Sequence, residues 1–469
     1  NLGGALQELD QLHDSVKSYE NAITLEPENA EAHNNLGNVC RELNKLDYAI
    51  QSYEKAIVIN PDYVEAHYSL GLTFQDLGQL ENTVKSYEKV LAIKPDFAGM
   101  HNNLGNVYRE LGELDAAVKY YEQAIAIKPD FVEVYYNLGI TLQELGQLDA
   151  AINAYEGAIA IKSDYAEAHN NLGTIFTELG RLEEAEVNYK QAIVLEPDYA
   201  GAHYNLGNML KDYKKLEEAE VSYSKATILE PNYVEAHNNL GNVLNNLGRL
   251  DEAEVSFRKA LVLDPNYVEA HNNLGNVLKN LGRLEEAEAS FRQAIVLDSN
   301  YAKAYSNLGA NLKDLCRFEE AEASCRKAIA LKPNFTEAHI NLCIILYANK
   351  NLDSALESLR QANSTNQKSM DIKLLLAVLQ ARKSHKTNKV NVDNLNNTNR
   401  NIRRMSNPLI FNRPVEPKLI AKLYEIKSLE LDKIRDPSYG NAKGSGSVSY
   451  THLRAHETPE HLVCRLLLE

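Results

Sequence analysis

A glycine recurs every 34 residues along most of this chain, and no insertion interrupts the spacing. Cys343 stands where the series would continue. A fixed period of this length is typical of a repeat array, whose units pack only on their neighbours and present an extended surface rather than a catalytic pocket. The marker glycines are Gly3, Gly37, Gly71, Gly105, Gly139, Gly173, Gly207, Gly241, Gly275 and Gly309.

Each repeat has the pattern of two amphipathic helices. In the eighth repeat, apolar residues recur at helical spacing in 236–247 and again in 250–263, with a break at Gly248 and Arg249. Small residues, mostly Ala, recur at two fixed distances after the marker glycine, where two helices cross closely. A proline follows the second helix in most repeats and ends it. The sequence therefore predicts about eleven helix-turn-helix units, none of which buries its apolar face alone.

Segments such as AEAHNNLGNVC and LGRLEEAEVSF resemble tetratricopeptide repeats, and the resemblance covers residues 1 to about 366. It implies an all-α fold, a right-handed superhelical solenoid of helix-turn-helix repeats. In that family the first helix of each repeat lines the concave face and the second helix forms the outside. The first repeat lacks part of its first helix, so we expect the chain to be a fragment.

The net charge of −16 argues against several classes of partner. Acidic residues predominate in the array, whereas binding to phosphates needs clustered Lys and Arg. No apolar run is long enough to span a membrane. We therefore expect a protein or peptide partner, no nucleic acid and no membrane. Self-association stays open, because near-identical repeats with matching ends can stack.

Cysteine and histidine do not form a catalytic or metal-binding pattern. Cys40 and Cys343 fall on core positions of the repeat, which predicts buried free thiols in a reducing compartment and hence a cytoplasmic location. Eight histidines share one repeat position, but neighbours are a whole repeat apart and too distant to bind one ion. We interpret them as packing residues and predict no metal, no cofactor and no catalytic residue. They are His33, His67, His101, His169, His203, His237, His271 and His339.

Asparagine stands two residues before almost every marker glycine, and Ser69 alone breaks the row, which opens at Asn1. Asparagine is a poor helix former, so its repetition within a helix needs a reason. We call this row the asparagine ladder: Asn35, Asn103, Asn137, Asn171, Asn205, Asn239, Asn273, Asn307 and Asn341. A second asparagine row lies three residues further on, on the same helix face: Asn38, Asn106, Asn208, Asn242 and Asn276.

Two interpretations of the ladder stay open. A carboxamide carries both donors and an acceptor, so a row of them can hold the backbone of an extended peptide whatever its sequence. Alternatively, the side chains satisfy neighbouring backbone or loops and bind no ligand. The ladder resembles the repeat domain of the O-linked N-acetylglucosamine transferases, in which concave asparagines hold the backbone of protein substrates. That resemblance implies peptide binding for the ladder and for nothing else, and no glycosyltransferase domain follows the array. We expect the second row, beside the ladder, to take part in binding as well.

The chain after the array changes composition several times. We predict a TPR array over 1–366, a capping helix over 367–384, an Asn/Lys-rich linker over 385–407 and the start of a second domain over 408–447. Residues 448–469 resemble translated sequencing-adapter DNA and are left out of the fold prediction. The segment before them weakly resembles the region preceding an iron- and 2-oxoglutarate-dependent oxygenase domain.

The sequence thus predicts a protein–protein interaction scaffold that binds peptides through the ladder. The alternative is the substrate-recruiting arm of a larger enzyme, either an O-GlcNAc-type glycosyltransferase or an Fe/2-oxoglutarate oxygenase, whose catalytic domain is missing.

Overall fold

The computed structural model describes residues 2–365 and, beyond them, residues 372, 373, 375, 376, 379, 380 and 383. Within 2–365 the chain forms 22 α-helices and no strand, which confirms the predicted all-α repeat fold. Odd-numbered helices are the first helices of their repeats and even-numbered helices are the second helices. The helices are α1 (Leu2–Glu8), α2 (Leu12–Leu25), α3 (Ala30–Glu42), α4 (Leu46–Ile59), α5 (Val64–Asp76), α6 (Leu80–Ile93), α7 (Ala98–Glu110), α8 (Leu114–Ile127), α9 (Val132–Glu144), α10 (Leu148–Ile161), α11 (Ala166–Glu178), α12 (Leu182–Leu195), α13 (Ala200–Asp212), α14 (Leu216–Leu229), α15 (Val234–Asn246), α16 (Leu250–Leu263), α17 (Val268–Asn280), α18 (Leu284–Leu297), α19 (Ala302–Asp314), α20 (Phe318–Leu331), α21 (Thr336–Ala348) and α22 (Leu352–Thr365).

The chain divides into two compact units, Asn1–Leu247 and Gly248–Glu469. Inside each unit a first helix packs against the second helix of its own repeat, and that second helix packs against the first helix of the next repeat. First helices also contact one another, as α11 does α13 in the first unit and α19 does α21 in the second. Each unit is therefore a stack of helical hairpins, each packed on the next.

The marker glycine is needed because an aromatic ring of the second helix lies directly against it. A Cβ atom at Gly139 would lie 2.7 Å from Cε1 of Tyr155, and one at Gly105 would lie 2.5 Å from Cε1 of Tyr121. Both rings are fully buried, so they have little room to retreat. The small residues 12 and 19 positions after Gly139, Ala151 and Ala158, are also fully buried.

The turn inside each hairpin requires a left-handed backbone conformation. Gly146 has φ +71°, and the amide of Gln147 donates to the carbonyl of Leu142 at 2.9 Å, which is the six-to-one hydrogen bond of a Schellman motif. Glycine suits this position because it has no Cβ to clash. Asn44, Lys214 and Cys316 adopt the same left-handed conformation without being glycine, at φ 56–61°.

The cysteine prediction is confirmed where the structure describes it. Cys40 and Cys343 are buried free thiols, as is Cys325, whereas Cys316 is exposed. Among the described residues, no helix is both long and apolar enough to cross a membrane.

The predicted segments after the array are only partly covered. Within the predicted capping helix, Ile372, Leu375 and Leu379 are helical and buried. The rest of that segment is described only at residues 373, 376, 380 and 383. The predicted linker (385–407), second-domain start (408–447) and tail (448–469), together with Asn1, lie outside the described residues, so these boundaries stay predictions.

Candidate functional site

The asparagine ladder and the second asparagine row both lie on first helices. Every member of the two rows is half-buried, at the border between the hairpin core and solvent. We call this surface, the side of the first helices that carries the ladder, the first-helix face. A half-buried carboxamide is partly fixed by its surroundings and still reachable from solvent, so its hydrogen-bond partners decide what it can bind.

Most amide groups of the ladder are anchored to the preceding repeat. Nδ2 of Asn205 donates to Oδ1 of Asn170 at 3.0 Å, and Nδ2 of Asn307 donates to Oδ1 of Asn272 at 2.8 Å. Asn170 and Asn272 are buried and stand directly before a ladder asparagine of their own repeat. The ladder therefore links neighbouring repeats. The sequence indicated only, as one of two interpretations, that the asparagines bond to nearby backbone or loops, and it named no partner.

Where the residue before the ladder position is not asparagine, another acceptor replaces it. Nδ2 of Asn341 donates to Oγ of Ser306 at 3.0 Å, and Nδ2 of Asn239 donates to the phenol oxygen of Tyr204 at 3.2 Å. The link between repeats thus persists with three different acceptor side chains.

The second asparagine row also has a partner inside the protein. Asn106 and Asn208 each accept a hydrogen bond from a buried tyrosine of the second helix, at 2.7 Å and 2.6 Å respectively. Each also accepts one from the ladder asparagine of the next repeat, Asn137 at 3.3 Å and Asn239 at 3.0 Å. Asn38 likewise accepts from Tyr53 at 2.9 Å. Asn106 and Asn208 therefore connect neighbouring hairpins, whereas Asn38 is bonded within its own hairpin.

Acceptor capacity remains on the ladder after these bonds are made. Among the described residues, no donor reaches Oδ1 of Asn137, Asn205, Asn307 or Asn341. Each of these oxygens belongs to a half-buried side chain whose amide nitrogen is already held by the neighbouring repeat. The anchoring bond fixes the plane of the carboxamide, and the free oxygen can accept a hydrogen bond from a ligand.

Charged side chains border the ladder at both ends of the first helices. Toward the C-terminal end, cations and carboxylates of successive repeats pair, as in Arg41 with Asp76 at 2.8 Å and Arg109 with Glu144 at 3.2 Å. These pairs are partly exposed and each contributes about 0–1 kcal/mol. In the first turn of the first helices, a row of exposed glutamates recurs, which makes this edge acidic. It comprises Glu31, Glu65, Glu133, Glu167, Glu235, Glu269 and Glu337.

Two groups of tyrosines adjoin the ladder, and the sequence reasoning missed both. Tyr136 packs against Tyr165 with ring centroids 4.9 Å apart, and Tyr204 packs against Tyr233 at 4.7 Å. Burial, followed by the neighbouring tyrosine and nearby glutamates, raises the pKa of both Tyr165 and Tyr233 to about 12. Tyr136, Tyr165, Tyr204 and Tyr233 are half-buried, so they present aromatic rings at the edge of the ladder.

The histidine row has a structural role more specific than the predicted packing. Nε2 of His101 lies 2.9 Å from the carbonyl oxygen of Pro95, and Nε2 of His237 lies 3.0 Å from that of Pro231. In the repeat with Ser163 in place of proline, Nδ1 of His169 instead lies 3.0 Å from Oδ1 of Asn188. The ring therefore ties the inter-repeat loop to the first helix. Within the described part of the chain, no three His, Cys, Asp or Glu side chains are grouped so as to hold a metal ion.

Family comparisons identify the repeat itself. Models of the tetratricopeptide repeat match residues 3–40, 37–78, 74–108 and 105–146, and a further one matches residues 132–165. The chain is a tetratricopeptide repeat protein. Residues 156–374 also match the model of the C-terminal domain of cilia and flagella-associated protein 70. No curated protein matches the chain.

Several solved structures are similar to parts of this tetratricopeptide array. YrrB, described as a TPR protein with an unusual peptide-binding site, is 27% identical over 42% of this chain and 98% of its own, with a TM-score of 0.37. MamA is 30% identical over 35% of this chain and 96% of its own, with a TM-score of 0.34. Yeast Tom70 is 16% identical over 84% of this chain and 97% of its own, with a TM-score of 0.40.

Proposed function

We propose that this tetratricopeptide repeat protein is a protein–protein interaction scaffold that binds extended peptide segments on its first-helix face through the asparagine ladder. The observation that carries the proposal is the set of half-buried ladder carboxamides whose nitrogen is anchored and whose Oδ1 has no donor among the described residues. Such an oxygen accepts a hydrogen bond from a peptide N–H, a group present in every peptide except at proline.

The geometry of the stack suits an extended ligand. Packed helices lie about 8–10 Å apart, and an extended peptide rises about 3.3 Å per residue, so one ladder position corresponds to roughly three ligand residues. Each hydrogen bond contributes only about 0.5–1.5 kcal/mol net, so binding requires several ladder positions at once. An extended array supplies them, whereas a single repeat does not.

The charge of the face favours peptides over nucleic acid. The exposed glutamates in the first turn of the first helices repel a phosphate backbone. The buried free thiols fit a reducing compartment, and we place the protein in the cytoplasm as part of this proposal. The alternative of a substrate-recruiting arm of a larger enzyme, whose catalytic domain is missing, stays a prediction, as does the likeness to the O-linked N-acetylglucosamine transferases.

The proposal is tested by measuring peptide binding after removal of one ladder oxygen. Asn205→Ala removes a free acceptor, and we expect the Kd for extended peptides on a peptide array to rise about 2- to 13-fold. Asn153→Ala, on the exposed side of α10, is the matched control and should leave the Kd unchanged.

Stability has to be measured alongside binding, because Asn205→Ala also removes the bond to Asn170. If the variant is less stable but binds peptides as the wild type does, the ladder is purely structural and the proposal is wrong. If wild-type protein binds no peptide on the array, the scaffold function itself is wrong.

A further inference from the structure

The two tyrosine groups beside the ladder are near-copies of one another, two repeats apart. In each, a tyrosine of the first helix packs against one tyrosine of the second helix and another in the loop before the next first helix. The first copy has Tyr136 5.8 Å from Tyr155 and 4.9 Å from Tyr165. The second copy has Tyr204 5.8 Å from Tyr223 and 4.7 Å from Tyr233, and the interplanar angles differ by only 1–3°.

Both copies are joined to the ladder in the same way. Nδ2 of Asn171 donates to the phenol oxygen of Tyr136 at 3.3 Å, and Nδ2 of Asn239 donates to that of Tyr204 at 3.2 Å. The aromatic groups therefore belong to the first-helix face, directly beside the proposed path of the peptide.

The copies differ in the charged residue three positions before the loop tyrosine, which is Tyr165 in the first copy and Tyr233 in the second. In the first copy, Nζ of Lys162 lies 5.0 Å from the ring centroid of Tyr165, within the range of a cation–π interaction. In the second copy, Glu230 stands at the position equivalent to Lys162, three residues before Tyr233. The same lysine position covers a ring in two other repeats, with Lys128 4.8 Å from Phe131 and Lys332 5.4 Å from Phe335.

The environment of Tyr233 favours a cation, and no Lys or Arg of the described residues lies over its ring. Its pKa is raised by burial first, then by Tyr204, and then by the carboxylates of Glu235 and Glu230. Both carboxylates attract positive charge, and so does the negative face of the ring.

We propose that Tyr204, Tyr233, Glu230 and Glu235 form a subsite that binds the cationic side chain, Lys or Arg, of a peptide held along the ladder. This inference rests on the proposed function and adds the class of peptide that the face selects. The first copy, around Tyr165, is already filled by Lys162 of the chain itself and shows how the bound cation sits. The partner is thus a basic peptide, with its positive side chain over the second copy.

The experiment exchanges the charges of the two copies in the full chain. The probes are a labelled peptide of alternating Ser and Arg and the same peptide with Gln in place of Arg, with Kd measured by fluorescence anisotropy. Glu230→Lys fills the second copy, and we expect Arg-peptide binding to weaken about two- to fivefold with the Gln peptide unchanged. Lys162→Glu opens the first copy and should strengthen Arg-peptide binding by a similar factor.

Two controls separate the subsite from net charge and from misfolding. Glu217→Lys makes the same charge change at the other end of α14, about 20 Å away and beyond the screening length at physiological salt. It should not change the ratio of the two affinities. Tyr233→Phe keeps an aromatic face and should retain the preference for Arg, whereas Tyr233→Leu should lose it.

The outcomes distinguish this inference from the proposed function. Equal binding of the Arg and Gln peptides by wild-type protein, or equal effects of Glu230→Lys and Glu217→Lys, overturns the cation subsite but leaves peptide binding intact. If neither peptide binds, the proposed function is wrong and the subsite is wrong with it.

Discussion

Ser69 interrupts the asparagine ladder, and its effect is visible in the repeat before it. In most other repeats a ladder asparagine donates to the side chain 35 residues earlier, as Asn205 does to Asn170 at 3.0 Å. The equivalent acceptor for Ser69 is Oδ1 of Asn34, which is buried and has no hydrogen-bond partner among the described residues. The serine side chain is too short to replace the carboxamide there.

We therefore expect Ser69→Asn to stabilise the protein. A buried acceptor without a partner costs about 1–3 kcal/mol, and fixing the longer side chain costs up to about 1 kcal/mol. Asn and Ser have similar helix propensities, so the expected net gain in the free energy of unfolding is about 1 kcal/mol. Because units of a repeat array unfold partly independently, the gain should be concentrated in α3 and α5.

The assay combines thermal unfolding by circular dichroism with hydrogen exchange resolved by segment. Ser69→Ala is the first control, because it offers no donor and should not slow exchange in α3. Ser69→Asp is the second, because it places an acceptor opposite the oxygen of Asn34 and should destabilise. If Ser69→Asn is no more stable than Ser69→Ala, the hydrogen bond between repeats does not contribute the free energy of unfolding that we assign to it.

Three further predictions concern the core and the titrating groups. Gly139→Ala should lower the free energy of unfolding by about 1 kcal/mol in chemical denaturation, because the new Cβ lies 2.7 Å from the buried ring of Tyr155 and overpacking outweighs the gain in helix propensity; a more stable variant would contradict this. Burial raises the pKa of Cys325 to about 12, so mass spectrometry after iodoacetamide treatment of native protein at mildly alkaline pH should find exposed Cys316 alkylated and Cys325 unmodified. Burial lowers the pKa of His203. Its contribution to stability is therefore present above the unfolded-state pKa of about 6.5 and is lost as the pH falls through the lower folded-state pKa. His203→Tyr should remove that part of the pH dependence of the thermal unfolding temperature.

The hairpin fold could be predicted from the sequence because its determinants are local and repeated. A glycine against a buried ring, small residues at the helix crossing and a proline after the second helix recur at fixed distances, so one repeat explains the others. The left-handed residues Lys214 and Cys316 could not be predicted in this way. Their conformation is imposed by the hairpin geometry around them, which their own side chains do not favour.

The partners of the ladder were not predictable, because they depend on the register between neighbouring first helices. In the sequence, nothing distinguishes Asn170 from the ladder residue Asn171 that follows it. In the structure, its Oδ1 accepts the hydrogen bond from Asn205 of the next repeat. Aligning the repeats would have shown that Lys162 and Glu230 stand at the same repeat position. That this position lies against an aromatic ring follows only from the observed distance of 5.0 Å between the Lys162 ammonium and the ring of Tyr165.

The most direct test of the central claim is the affinity of the full chain for backbone-methylated peptides. If the ladder oxygens of Asn137 and Asn205 accept bonds from peptide N–H groups, contacted amides recur about every third ligand residue, so N-methylation of every third amide removes the donors and leaves every side chain in place. We predict that methylation in one of the three registers weakens binding at least tenfold and that methylation in the other two has a smaller effect. Undiminished binding in all three registers would contradict backbone recognition by the ladder.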